Sequence, residues 1–329
     1  MAMTTTPLSR DPAELITAAR AGSRVALARL LTMVERGGSE SQAVAALAYA
    51  AQPPYSVGLT GAPGAGKSTL TDRLISAARA GWPAVEGASS EPIDQVAVLA
   101  IDPSSPFTGG AILGDRIRMQ DHATDPSVFI RSMATRGHLG GLSLAVPEAV
   151  RLLGATGMPA VLIETVGVGQ MEVEVASAAD TTVVVVNPGW GDSMQANKAG
   201  LLEIADIFVI NKADRPGVRE ARRDLDQMLD LSQLGAWRPP ILETVAQDGR
   251  GVTEMWETVA EHRAHLVSTG ELEVRRARRL TEALRRVIAA RLAERVEQVA
   301  DGATFQDQVA ELVAGRTDPY RAAEVLLDR

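Results

Sequence analysis

The spacing of apolar positions changes at about residue 56, and the change divides the chain. Before it, alanine and leucine recur at helical intervals, with Asp11-Pro12 and Ser39/Ser41 as helix starts. Residues 1–52 therefore read as a small helical segment ending at Gln52-Pro53-Pro54. After it, short apolar runs at 57–60, 96–101, 128–132, 160–164, 182–186, 207–211 and 241–244 alternate with helical stretches. Strand and helix in alternation predict an α/β fold, a doubly wound and mostly parallel sheet over 53–268. A long arginine- and glutamate-rich helix over 271–299 follows. Shorter helices come after it, the last opening at Thr317-Asp318-Pro319, so 269–329 reads as a C-terminal helical arm.

Composition narrows the function classes. The 329 residues carry a formal net charge of −8, which argues against a general nucleic-acid binder. Without cysteine there is no disulfide, thiolate nucleophile or thiolate-ligated metal, which suits a reducing cytoplasm. Residues 1–12 lack the apolar core of a secretory signal, and no apolar stretch reaches membrane-spanning length. Arg20, Arg24 and Arg29 fit an ordinary helix better than a transit peptide, given Asp11 and Glu14 nearby.

Lysine occurs at three positions only, Lys67, Lys198 and Lys212, although Lys and Arg together number 33. Where arginine does nearly all other cationic work, a retained lysine marks chemistry that wants a compact ammonium. Lys67 lies in Gly61-Ala62-Pro63-Gly64-Ala65-Gly66-Lys67-Ser68-Thr69, a full GxxxxGK[ST] phosphate loop between a strand and a helix. Its glycines let backbone N–H groups close around phosphate oxygens, Lys67 reaches the β and γ oxygens, and the Ser68 hydroxyl ligates Mg²⁺. Lys212 lies in Asn211-Lys212-Ala213-Asp214, an NKxD pattern at a strand end. A carboxylate at Asp214 accepts from guanine N1–H and the 2-amino group, which adenine lacks, so it selects GTP over ATP. After the last strand, Thr244-Val245-Ala246 offers a backbone amide for guanine O6.

Asp102 and Glu164 end two strands on the phosphate-loop side, and each can hold Mg²⁺ directly or through water. Glu164-Thr165-Val166-Gly167 has the spacing of a DxxG switch with glutamate in place of aspartate, and Gly167 would offer its amide to the γ-phosphate. For Asp102 the competing reading is a turn residue before Pro103. Two segments, 102–116 and 187–198, are too rich in Pro, Gly and Ser for regular structure. Lys198 ends the second; it either reaches transition-state charge when a partner orders that loop or is a solvated helix lysine. His262 and His265 read as a solvated helix face rather than metal ligands, which weighs against a metal-insertion GTPase.

The segments DPSSPFTGGAILGDRIRM, RSMATRGHLGGLS, ETVGVGQMEVEV, NPGWGDSMQANKAGLLEIADIFVINKAD and TDPYRAAEVLL resemble the methylmalonyl-CoA mutase-associated GTPases of the MeaB/ArgK/MMAA type, from about Ala50 to the C-terminus. The resemblance implies a dimeric P-loop GTPase, slow on its own, that assists adenosylcobalamin loading and protection of an acyl-CoA mutase, the cobalamin being bound by that partner. It places Lys67, Ser68 and Thr69 on phosphate and Mg²⁺, and Asp102, Asp115 and Glu164 around the metal. Gly189, Asp192, Gln195 and Lys198 fall in a switch facing the mutase. The 271–299 helix, with Val274, Ala277, Leu280, Leu284 and Val287 at helical spacing, becomes a dimerisation arm; packing on the protein's own core is the alternative. Gln170 is not supported as a water-positioning residue. A rival from another class is a nucleotide-dependent kinase associated with arginine/ornithine transport, a label this family also carries.

Overall fold

The computed structural model describes residues 9–103, 122, 124–135, 141–165, 178–190, 198–232, 235–300 and 302–327. Seven strands fall where the apolar runs predict: β1 (Tyr55–Gly61), β2 (Val96–Pro103), β3 (Val128–Thr135), β4 (Ala160–Thr165), β5 (Thr181–Val186), β6 (Ile207–Asn211) and β7 (Ile241–Thr244). They form one sheet in the order β3-β2-β4-β1-β5-β6-β7, parallel at every pairing. From β1 the chain runs out to β2 and β3, returns through β4 beside β1, and leaves on the other side through β5, β6 and β7. The crevice where that order reverses lies beyond the carboxyl end of β1, the place where open α/β sheets bind ligands.

The helices are α1 (Pro12–Arg20), α2 (Arg24–Arg36), α3 (Gly38–Ala48), α4 (Lys67–Arg79), α5 (Gly141–Ala155), α6 (Lys198–Ile204), α7 (Val218–Asp230), α8 (Val252–Ser268), α9 (Glu271–Ala300), α10 (Ala303–Val313) and α11 (Pro319–Leu327). Asp11 caps α1 as expected, accepting from the Ala13 amide at 3.1 Å with Pro12 in the first turn. The next boundaries differ from the sequence reading. Helix α2 opens after Ser23, whose hydroxyl accepts from the Ala26 amide, and α3 opens after Gly37. Ser41 is not a cap: it donates instead to Glu148 of α5 at 2.9 Å.

Alternation along β2 and β4 sorts side chains between two cores. Val96, Val98, Ala160 and Leu162 pack with α4, α7 and α8; Ala97, Leu99, Ile101, Val161 and Ile163 pack with α1, α2, α3 and α5. The N-terminal helices are thus one cover of the sheet. Leu27, Leu30, Leu31 and Val34 share the inner face of α2, and burying each is worth about 1.5–3 kcal/mol.

The chain forms two compact units, Met1–Arg279 and Leu280–Arg329. In the first, the opening turns of α9 are tied to the amino ends of β5 and β6. Asp180, 1% exposed, accepts from the Ser56 amide, from Arg276 at 2.8 and 3.1 Å, and from Arg279. Asp206 accepts from the Thr182 amide and from Arg275, both at 2.8 Å, with His262 Nε2 at 3.3 Å. Burial alone would push both carboxyls up. The guanidinium groups of Arg276 and Arg279 outweigh it and hold Asp180 below the ordinary aspartate value; His262 and Arg275 do the same for Asp206. Leu272 is the buried residue of α9, whereas Val274, Leu284, Ile288, Leu292 and Val296 are exposed. Among the described residues no helix is long and apolar enough to cross a membrane.

Candidate active site

Strand β1 delivers the phosphate loop to the crevice. Gly61 has φ +129°, and a side chain there would collide with the Val185 carbonyl of β5; Gly66 has φ +94°, and a side chain there would collide with the Asn211 amide. Both positions exclude every other residue type for reasons of space as well as backbone conformation. After Gly66 the chain enters α4 at Lys67, so the loop's amides and the helix N-terminus converge, as an anion site requires. Lys67 is 5% exposed and folded over the loop, its ammonium donating to the carbonyls of Gly61 at 2.7 Å and Ala62 at 3.0 Å. Pro63 and Gly64 form the exposed tip, and Thr69 is exposed on the first turn of α4.

Glu164 ends β4 beside β1, in register with Leu59, and is buried. The Ser68 hydroxyl donates to its Oε1 at 2.5 Å, so hydroxyl and carboxylate meet at the start of α4. Asp102 lies on the backbone of β2 at its carboxyl end, one strand beyond; its side chain lies outside the description. Asp115, Gly167, Gln170, Asp192 and Gln195 also lie outside the described residues. Gly189, at φ +83°, sits in the turn after β5, and Lys198 opens α6, its side chain undescribed. Hydroxyl and carboxylate oxygens are the donors a hard divalent cation takes, so Ser68 and Glu164 fit Mg²⁺. Among the described residues no group of three His, Cys, Asp or Glu is placed to hold a metal.

The base segment is locked to this loop through Asn211, 2% exposed. Its amide donates to the Ala65 carbonyl at 2.8 Å, and its Oδ1 accepts from the Thr244 hydroxyl and the Ala246 amide, each at 3.1 Å. Lys212 donates to the Gly64 carbonyl at 2.6 Å and takes φ +61°, the one non-glycine residue with positive φ among those described. That turn carries the chain to Asp214, whose carboxylate is exposed. The Ala213 amide donates to the Thr244 carbonyl at 3.0 Å, joining the base segment to β7. Val245 and Ala246 do not keep their amides for a base: Val245 donates to the Arg250 carbonyl and Ala246 to Asn211.

Two features escaped the sequence reading. His262 is fully buried rather than on a solvated face. Its Nδ1 lies 2.8 Å from the Thr181 hydroxyl, and its ring packs on Trp237. Arg73 of α4 donates to the carbonyls of Ala246 at 3.2 Å and Gln247 at 3.0 Å. A lone arginine six residues past the phosphate-loop lysine carries no sequence signal for a contact 173 positions away.

The model of the family described as methylmalonyl Co-A mutase-associated GTPase MeaB matches residues 27–301. A Pyrococcus horikoshii protein that carries a GTPase name is 47% identical over 322 residues, 96% of this chain and 97% of its own. GTPase ArgK of Escherichia coli is 38% identical over 83% of this chain and 82% of its own. A crystal structure titled as a LAO/AO transport system kinase superposes with a TM-score of 0.67 at 27% identity, covering 98% of this chain and 99% of that one. The chain accordingly belongs to the methylmalonyl-CoA mutase-associated GTPase (MeaB) family, a family of P-loop GTPases.

Proposed function

We propose that this GTPase is a chaperone for an adenosylcobalamin-dependent acyl-CoA mutase, coupling GTP binding and hydrolysis to cofactor loading and protection of that partner. The supporting observation is the family match, described by association with methylmalonyl-CoA mutase and spanning residues 27–301. On this reading cobalamin is bound by the mutase, and the chain works in the cytoplasm as a homodimer. The apolar row Leu280, Leu284, Ile288, Leu292 and Val296 of α9 would face a second copy.

In the nucleotide site, the loop amides from Gly61 to Thr69 and the Lys67 ammonium would hold the phosphates. Ser68 and Glu164, with Asp102 and Asp115, would hold Mg²⁺, which neutralises charge that builds on the β and γ oxygens during transfer. Gly167 would sense the γ-phosphate. Lys198 would add positive charge at that centre, with Gly189, Asp192 and Gln195 in the segment the mutase orders. Asn211 and Lys212 position Asp214 for guanine by the bonds described above.

Steady-state GTP turnover measured with and without such a mutase tests the proposal: turnover should rise on addition of the partner and fail in Lys67→Ala. If methylmalonyl-CoA and isobutyryl-CoA mutases both leave the rate unchanged, the chaperone role is wrong. A transport-linked kinase reading would instead require phosphoryl transfer to a protein acceptor and turnover of ATP ahead of GTP.

A further inference from the structure

We infer that Arg73 is a positioning residue for guanine specificity, aiming the backbone N–H of Gln247 at the 6-oxygen of the base. The inference rests on the guanine-site reading. Within the loop over residues 245–250 nearly every amide is committed: Val245 to the Arg250 carbonyl, Ala246 to Asn211 Oδ1, Asp248 and Gly249 to the Val245 carbonyl, and Arg250 to Asp248 Oδ1. Gln247 is the exception, its N–H meeting no acceptor among the described residues. Gln247 is exposed, so among the amides of this loop its N–H is the one open to solvent or to a ligand.

Arg73 sets where that donor points. Its guanidinium grips the Ala246 carbonyl at 3.2 Å and the Gln247 carbonyl at 3.0 Å, a two-pronged, charge-assisted hold on consecutive peptides. The Ala246–Gln247 peptide is trans, so its N–H lies opposite its carbonyl and is turned away from α4. Asn211, anchored to the phosphate loop through Ala65, holds the other end of the same turn through the Ala246 amide. The free N–H is therefore fixed from both sides beside the segment that presents Asp214. Asp214 reads the N1–H and 2-amino edge; Gln247 reads O6, which 2-aminopurine lacks together with the N1 proton.

The test is the dissociation constant of GDP, IDP and 2-aminopurine riboside diphosphate for the full chain and for Arg73→Ala and Arg73→Lys. IDP keeps O6 and the N1 proton but lacks the 2-amino group. The 2-aminopurine compound keeps the 2-amino group but lacks both O6 and the N1 proton, so the change in its ratio on substitution of Arg73, rather than the ratio itself, reports on O6. In Arg73→Ala the preference for GDP over the 2-aminopurine nucleotide should fall about five- to tenfold, the worth of one hydrogen bond, while the GDP-to-IDP ratio set at Asp214 stays constant. Arg73→Lys, with an ammonium in place of the fork, should lie between. An equal loss for all three nucleotides would mean Arg73 only supports the fold, and no loss would mean it does not position the donor; either overturns the inference. A wild-type protein with no preference for GDP over the 2-aminopurine nucleotide would overturn the base-site reading itself, and this inference with it.

Discussion

At the scale of single residues, the site works through groups that hold the backbone as much as through groups offered to a ligand. Asn211 has both its amide nitrogen and its oxygen engaged with the loop before α4 and the loop after β7, so it ties these two segments together. Asp214 is the opposite case, an exposed carboxylate on a turn that Lys212 enters at positive φ. Asp214→Asn replaces one of two acceptors by a donor facing guanine N1–H, and the preference for GTP over ATP should drop by about 1–3 kcal/mol. Competition binding with both nucleotides checks this, and an unchanged ratio would take Asp214 out of the base site. The motif residues were legible in the sequence because a phosphate and a purine edge demand particular groups at short spacings. Arg73 was not, because nothing near it in the chain says which carbonyls it will meet.

At the scale of elements, the root of α9 is tied to the sheet, where the sequence offered a dimerisation arm or packing on the protein's own core as alternatives. Arg275, Arg276 and Arg279 reach two buried aspartates at the amino ends of β5 and β6. A buried charge left wholly without a partner costs about 3–5 kcal/mol; removing Arg276 leaves Asp180 with Arg279 and the Ser56 amide, so the cost falls below that figure. Arg276→Ala should lower the urea midpoint accordingly while leaving the nucleotide site, at the carboxyl ends of the strands, able to bind GDP. A variant as stable as the wild type would show that Arg279 and the Ser56 amide suffice for Asp180. The strands were legible in position because each apolar run sits between turn signals. The start of α2 was missed although the chain signals it locally: Gly22, at φ +94°, closes α1 and Ser23 caps the next helix.

At the scale of the whole molecule, the same two aspartates predict the acid limit of stability. Both have folded values below the unfolded one of about 3.9. The stability they contribute is therefore fully present above that pH and is lost as pH falls toward and through their folded values. Thermal melts should be flat in this contribution from pH 7 to about 5 and should fall steeply below about 4, less steeply in Asp180→Asn; identical acid profiles would place the acid-sensitive groups elsewhere. The sequence by itself determined the strands, the phosphate loop and the base motif, because each rests on local periodicity or on a few neighbouring residues with chemistry of their own. Only the tertiary structure decided that β4 and β5 flank β1, that the Glu164 carboxylate meets the Ser68 hydroxyl, and that Arg73 grips the loop after β7. Those contacts join residues 96 and 173 positions apart, and packing on the two faces of the sheet, rather than any local preference, brings such residues together.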